Sequence, residues 1–169
     1  MANPEHVAKL KQFRHPPPGI KESESWNPWR KNNPTVVPDL RGADLCSTDL
    51  TNTDLCGADL REALFGLTKL RDVAFRGADL SFANLTGADF INADLSGANL
   101  TGAILFATTF ANTNMSGTKG LESCIHKAPS SIGIDTFFRS NGQIPDTFTR
   151  LWRPGALHNL CAITGRPTD

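Results

Sequence analysis

The chain lacks most of what catalysis, membrane insertion or nucleic-acid binding demands. Its 169 residues carry no net charge, with 17 Lys plus Arg against 17 Asp plus Glu. A neutral total offers no general attraction to a phosphate backbone, so direct nucleic-acid binding is not expected. No apolar run is long enough to span a bilayer, which excludes a membrane-spanning helix. Met1 to Leu10 contain no apolar core of a secretory leader, so the chain reads as cytoplasmic. Its four histidines, His6, His15, His126 and His158, all lie outside the central stretch 38–119. That stretch cannot supply the nucleophile, base and orienting group that an active site needs. No catalytic residue, no cofactor and no enzyme activity are expected.

Cysteine is also scarce: Cys46, Cys56, Cys124 and Cys161. Cys124-Ile-His126 and His158-Asn-Leu-Cys161 together make a formal Cys2His2 set. The long separation of the two halves and the close first pair argue for ordinary thiols and surface imidazoles, so no metal is expected.

What the chain does have is a period. A large apolar residue recurs at every fifth position: Leu40, Leu45, Leu50, Leu55, Leu60, Phe65, Leu70, Phe75, Leu80, Leu85, Phe90, Leu95, Leu100, Leu105, Phe110 and Met115. Two positions before each stands a small residue, such as Ala58, Thr68, Ala83 or Ala98. A helix repeats near 3.6 and a flat strand at 2, so neither fits. A chain that runs straight, turns a corner and repeats does fit. On each straight piece the large residue i and the small residue i−2 share the inner side. The remaining positions, rich in Asp, Asn, Ser, Thr and Gly, face water and suit turns. Four such sides close a square coil of twenty residues, and successive coils stack about 4.8 Å apart. About four coils make a rod roughly 20 Å long at that spacing. No coil buries its own leucines alone, so stability comes from stacking. This phasing places Phe90 on Phe110.

Arg41-Gly-Ala-Asp-Leu45, Cys56-Gly-Ala-Asp-Leu60, Arg76-Gly-Ala-Asp-Leu80, Thr86-Gly-Ala-Asp-Phe90 and Ser96-Gly-Ala-Asn-Leu100 resemble the A-(D/N)-L-x-x unit of bacterial pentapeptide repeat proteins. The resemblance covers about residues 38–119. It implies an all-β solenoid, a right-handed quadrilateral β-helix. Trp26-Asn-Pro-Trp-Arg-Lys-Asn-Asn-Pro34 resembles the lead-in before many bacterial pentapeptide repeats. In those relatives one helix runs through. Here Pro16, Pro17, Pro18 and Pro28 predict a helix from Asn3-Pro4, a break, and a short second helix laying the tryptophans over the first coil.

The expected organisation is an N-terminal helical cap over 1–37, a β-helix over 38–119, a C-terminal cap with short helices over 120–153, and a loose tail over 154–169. Asp135 is expected to cap one C-terminal helix and Pro145-Asp146 to open another. Leu121, Ile125, Ile132, Ile134, Phe137, Phe138, Ile144, Phe148, Leu151 and Trp152 supply apolar groups there. The stretch 128–150 resembles a connector that leads, in some larger bacterial pentapeptide proteins, to a Toll/interleukin-receptor-like domain. That domain is absent from Leu151 to Asp169.

Two features of the outer surface stand out. Asp39, Asp59 and Asp79 fall in register and form an acidic ladder. Pentapeptide relatives that protect DNA gyrase are thought to mimic DNA with such a surface. Residues 38–119 hold ten acids and six bases, only mildly acidic at net −4. The second feature is apolar: Leu64, Leu67, Ile104 and Phe106 occupy outward positions of the second side, with Phe82 at a neighbouring corner. Apolar groups there mark a covered or binding surface. The functional expectation is a non-catalytic protein-binding or scaffold module, monomer or weak dimer, with an unknown protein partner. The alternatives are a DNA-mimic regulator of a topoisomerase or other DNA-binding protein, and a remnant sensor half of a Toll/interleukin-receptor-like protein.

Overall fold

Parallel pairing at one fixed interval organises the chain. In the computed structural model, which describes residues 1–11, 26–127 and 130–145, bridges join Asp39 to Asp59, Asp59 to Asp79 and Asp79 to Asn99. Three more columns keep the same step: Asp44–Leu64–Asn84–Ile104, Asp49–Lys69–Asp89–Thr109 and Asp54–Ala74–Asp94–Asn114. Each step is twenty residues, so the backbone winds as a coil with four sides. The sides are called first to fourth in that order.

The inner positions behave as the period requires. Every large residue from Leu40 to Met115 is buried, and so are the small residues Ala58, Ala83, Ala98, Thr68 and Thr113. Phe90 and Phe110 stack at 5.0 Å with an 11° interplanar angle, which bears out the twenty-residue phasing. Phe75 continues the aromatic contact to Phe90 at 5.7 Å. Threonine is tolerated inside because its hydroxyl reaches a carbonyl of the preceding coil. Thr68 Oγ1 donates to Leu45 O at 2.8 Å and Thr113 Oγ1 to Phe90 O at 2.7 Å. Thr53 sits in the first coil, with no earlier coil beneath it, and its buried hydroxyl has no partner.

The corners explain the Asp and Asn before each large residue. Their side-chain oxygen accepts the backbone N–H two residues on: Asp44 from Cys46 at 3.1 Å, Asp54 from Cys56 at 3.0 Å, Asn84 from Thr86 at 3.1 Å, Asp94 from Ser96 at 3.0 Å. This is an Asx turn, which satisfies an amide the corner leaves free. The next residue takes the left-handed backbone region, and glycine or asparagine fills many of those places.

At the N-terminal end, α1 (Pro4–Lys11) begins where Asn3 Oδ1 accepts the Glu5 N–H at 2.9 Å. Leu10 is buried and Val7 packs on the core. Phe13 and the proline run lie outside the described residues. The second helix, α2 (Trp26–Asn32), accommodates Pro28 in its first turn, where a missing N–H does no harm. Trp26 is fully buried and its Nε1 donates to Asp54 O at 2.7 Å. Asn27 bridges the Asp54 N–H and the Asn52 carbonyl, while Arg30 donates to Val36 O and Cys56 O. His6 Nδ1 accepts the Asp39 N–H at 3.0 Å.

At the other end the coil does not stop where the motif stops. Gly120 stands where a large residue was due, at φ 74°. A Cβ there would lie 2.5 Å from the Thr101 backbone, so only glycine fits. A 3-10 turn over Leu121–Ser123 follows, and the pairing then resumes one residue out of step. Strand β1 (Ile104–Leu105) pairs in parallel with β3 (Ile125–His126), with Ile104 opposite Ile125. Strand β2 (Thr109–Phe110) pairs with β4 (Ser131–Ile132), with Thr109 opposite Ser131. The short helix α3 (Ile134–Arg139) closes this part. Its N-cap is Gly133 with no side-chain bond, so Asp135 does not cap it. The chain leaves β4 extended through Gly133, and Asp135 is already in the first turn. The helix expected to open at Pro145-Asp146 would run from Asp146 onward, outside the described residues, as do Phe148, Leu151, Trp152 and the stretch 154–169.

Candidate functional site

The second side presents the column Asp44, Leu64, Asn84, Ile104 and Ile125, each paired with the next. Leu64 and Ile125 are exposed and Ile104 is half-buried. Phe82 lies at the corner before this side, and Leu67 and Phe106 at the corner after it. All three are exposed, Leu67 at 71% and Phe82 at 62%. The five apolar residues singled out from the sequence therefore share one side and its two corners. Ile125 joins them. The one-residue shift after the 3-10 turn puts it on the outer column, whereas the unbroken period gave no hint of that.

These residues are locally unfavourable choices. Leu64 and Ile104 stand where Asp or Asn elsewhere accepts the corner amide. Leu67 at φ 57° and Phe82 at φ 59° hold the left-handed region, which is uncommon for bulky side chains. Such a conformation costs roughly 1–2 kcal/mol per residue. Their side chains find room only because glycine stands one coil on. A Cβ at Gly87 would lie 2.7 Å from Leu67 Cδ2, and one at Gly102 would lie 2.6 Å from the Phe82 ring.

Among the described residues the C-terminal helix α3 packs elsewhere. Arg139 of α3 donates to Asn112 O at 2.5 Å, and Thr136 and Ser140 bond to the Thr113 segment, beside the third and fourth sides. Phe137 and Phe138 meet edge to face at 6.2 Å, and Phe138 is exposed.

The acidic ladder is in register, with Asp39 opposite Asp59 and Asp59 opposite Asp79. Its charges are engaged. Asp59 holds Arg61, whose guanidinium keeps the carboxyl below its usual range. Asp79 accepts the Ser81 N–H and Asn99 Nδ2. Several nearby acids are also paired: Arg71 meets Asp89 at 2.6 Å, Arg41 meets the corner residue Glu62 at 2.7 Å, and Lys69 lies 3.6 Å from Asp49. The Arg41 contact holds Glu62 below the ordinary glutamate range. Asp44 is lowered chiefly by the Cys46 N–H it accepts.

Cys46, Cys56 and Cys124 are free thiols. Burial pushes Cys124 up to about 12, so it is neither a ready nucleophile nor a ready metal ligand. Burial likewise lowers His126. Among the described residues no group of three or more His, Cys, Asp or Glu could hold a metal ion. His158 and Cys161 lie outside the described residues. No helix among the described residues is long and apolar enough to cross a membrane.

Residues 39–73 and 68–105 match the family of pentapeptide repeats, in 8 copies. No curated protein matches the chain. Among solved structures it is similar to HetL, a pentapeptide repeat protein involved in heterocyst differentiation regulation from the cyanobacterium Nostoc. The two share 35% identity over 47% of this chain and 33% of HetL, with a TM-score of 0.46. It is similar to the pentapeptide repeat protein Rfr23 from the cyanobacterium Cyanothece, at 31% identity over 54% of this chain and 61% of Rfr23, with a TM-score of 0.50. A pentapeptide repeat protein of the Arabidopsis thaliana thylakoid lumen is 28% identical over 74% of this chain and 75% of its own length, with a TM-score of 0.40. The chain thus spans a third of the length of HetL and about three-fifths that of Rfr23.

Proposed function

We propose, for a chain whose residues 39–105 are pentapeptide repeats, that it is a non-catalytic protein-binding module whose contact face is the second side. In this reading the rod is a right-handed quadrilateral β-helix of about four coils. Residues 1–37 form its N-terminal helical cap, 38–119 its repeats, 120–153 its C-terminal cap and 154–169 a tail. It works in the cytoplasm, in keeping with its free thiols.

One observation carries the reading. Leu64, Leu67, Phe82 and Phe106 are exposed together, the first three at positions where the repeat ordinarily favours Asp, Asn or Gly and Phe106 at one otherwise held mostly by Arg, Ser, Thr and Cys. Each forgoes a corner hydrogen bond, accepts left-handed backbone or exposes apolar area. A cluster of such choices supports a contact surface. The DNA-mimic reading has less support, because the ladder acids are tied to arginines or to their own corners. Failure to inhibit gyrase supercoiling is the expected result.

Changing Leu64 and Leu67 together to serine should leave the circular dichroism and melting of the chain intact. It should abolish capture of the partner recovered by the parent chain from its host. Capture undiminished by the double change would move the site to the Asp39, Asp59 and Asp79 column.

A further inference from the structure

The second side is self-complementary. Its outer column reads Asp44, Leu64, Asn84, Ile104, Ile125 from the first coil to the last, with Lys127 at the corner just beyond. Turned end for end about Asn84, Leu64 meets Ile104 and Ile104 meets Leu64. Asn84, half-buried, meets itself, its Oδ1 already accepting the Thr86 N–H and hydroxyl within its own corner. Asp44 comes level with Ile125 and within reach of the long Lys127 side chain.

The corners obey the same turn. Phe82 lies on the level of Asn84, so it opposes another Phe82. Leu67, one level below Asn84, opposes the corner of Phe106, one level above. Arg41, at the first level, opposes Glu122 in the 3-10 turn at the last. Apolar groups meet at the three inner levels; at the outermost, Arg41 meets Glu122, while Asp44 stands level with Ile125 and finds its counter-charge in Lys127. The other possible two-fold, along the rod, fails the same examination. It sets Asp44 against Asp44 and Phe82 against the corner at Gly87.

We infer that the second side joins two copies of this chain, antiparallel, about a two-fold axis running along the strands at the level of Asn84. The inference rests on the second side being the contact face. Residue i touching j while j touches i is the signature of such an isologous contact. Five levels about 4.8 Å apart, on a side of a few extended residues, give roughly 300–400 Å² per copy, well under the ~800 Å² of a standard interface. The dimer therefore forms and dissolves with concentration, and the same apolar face stays available to compete for another partner.

Sedimentation velocity from micromolar to millimolar concentration should show a monomer passing into a dimer. Phe82→Cys should give a covalent dimer on mild oxidation that the parent chain, treated alike, does not give. Lys127→Glu should weaken dimerisation several-fold. Adding Asp44→Asn, which keeps a corner acceptor, should restore part of the loss. A chain that stays monomeric throughout overturns the dimer. If Leu64→Ser with Leu67→Ser still loses a host partner, the contact-face reading stands without it. A dimer that forms but neither cross-links through Phe82 nor responds to Lys127→Glu overturns the antiparallel arrangement. A dimer indifferent to the serine pair does not use the second side and overturns the dimer inference, while capture of the host partner by the serine pair decides the contact-face reading separately.

Discussion

The two ends of the coil meet the same difficulty with different parts. A stacked coil leaves a ring of unpaired amides and carbonyls at each end, a template for edge-to-edge growth. At the N-terminal end the answer comes from outside the winding. Helices α1 and α2 lie across the opening and reach down with large side chains: His6, Trp26, Asn27 and Arg30. At the C-terminal end the winding itself runs on. Its turns lengthen by one residue at Ile125 and by another at Ser131, and short side chains take over from the backbone. Ser123 Oγ accepts the Gly102 N–H, Ser130 Oγ that of Thr108, Thr136 Oγ1 that of Thr113 and Ser140 Oγ that of Met115. One end is closed by a plug; the other unwinds until its hydroxyls satisfy the last amides. The plug concentrates its stability in a few large contacts. The unwinding end spreads it over many small ones.

The sharpest way to break the comparison is to remove the plug. Deleting residues 1–34 should expose Leu40 and the first coil's backbone and produce assemblies larger than a dimer, seen by light scattering. A deletion variant that melts like the full chain and scatters no more would show that the plug is dispensable. Next in size is Trp26→Ala. It empties a fully buried indole site and leaves Asp54 O without its donor. Loss of about 3–5 kcal/mol in chemical denaturation is expected.

The other end should respond less to any one change. Ser140→Ala removes the acceptor of the buried Met115 N–H and should cost about 1–3 kcal/mol. A loss as large as that of Trp26→Ala would erase the contrast. The smallest effect is the most discriminating. Thr113→Val deletes a buried hydrogen bond and should cost about 1 kcal/mol. Thr53→Val removes a buried hydroxyl that bonds nothing and should be neutral or slightly stabilising. Equal destabilisation by the two would mean that Thr53 has a partner in solution.

The repeating middle was legible in the sequence because one physical constraint recurs without exception. A five-residue side has room for one large and one small inner residue, so the period reports burial directly, down to the stacking of Phe90 on Phe110. The prolines expected to separate α1 from α2 lie outside the described residues. The ends were less legible because their rules are local. The shift of register depends on Gly120 pressing against Thr101, a contact between residues with no sequence pattern in common. Ile125 was read as cap core and lies exposed on the second side; Ile134 and Phe138, also read as cap core, are exposed as well. Asp and Asn were legible as turn and water-facing residues, but not the individual corner bonds they make. Water and an Asx turn favour the same residues, so composition cannot separate a wet surface from a built corner. The apolar side was visible because its residues break that preference.

Leu67 lying over Gly87 and Phe82 over Gly102 has a consequence for how such a chain can change over generations. Each bulky residue depends on a glycine twenty positions later, so the two are inherited as a couple. Duplicating or losing a full twenty-residue unit outside a couple keeps that couple in contact and in its column. Gaining or losing a single five-residue unit between them rotates all that follows by a quarter turn. That leaves Leu67 and Phe82 facing strangers, and scatters the second side around the rod. Length in this lineage should therefore drift in steps of twenty wherever the face is under selection, and in steps of five only beyond its last residue.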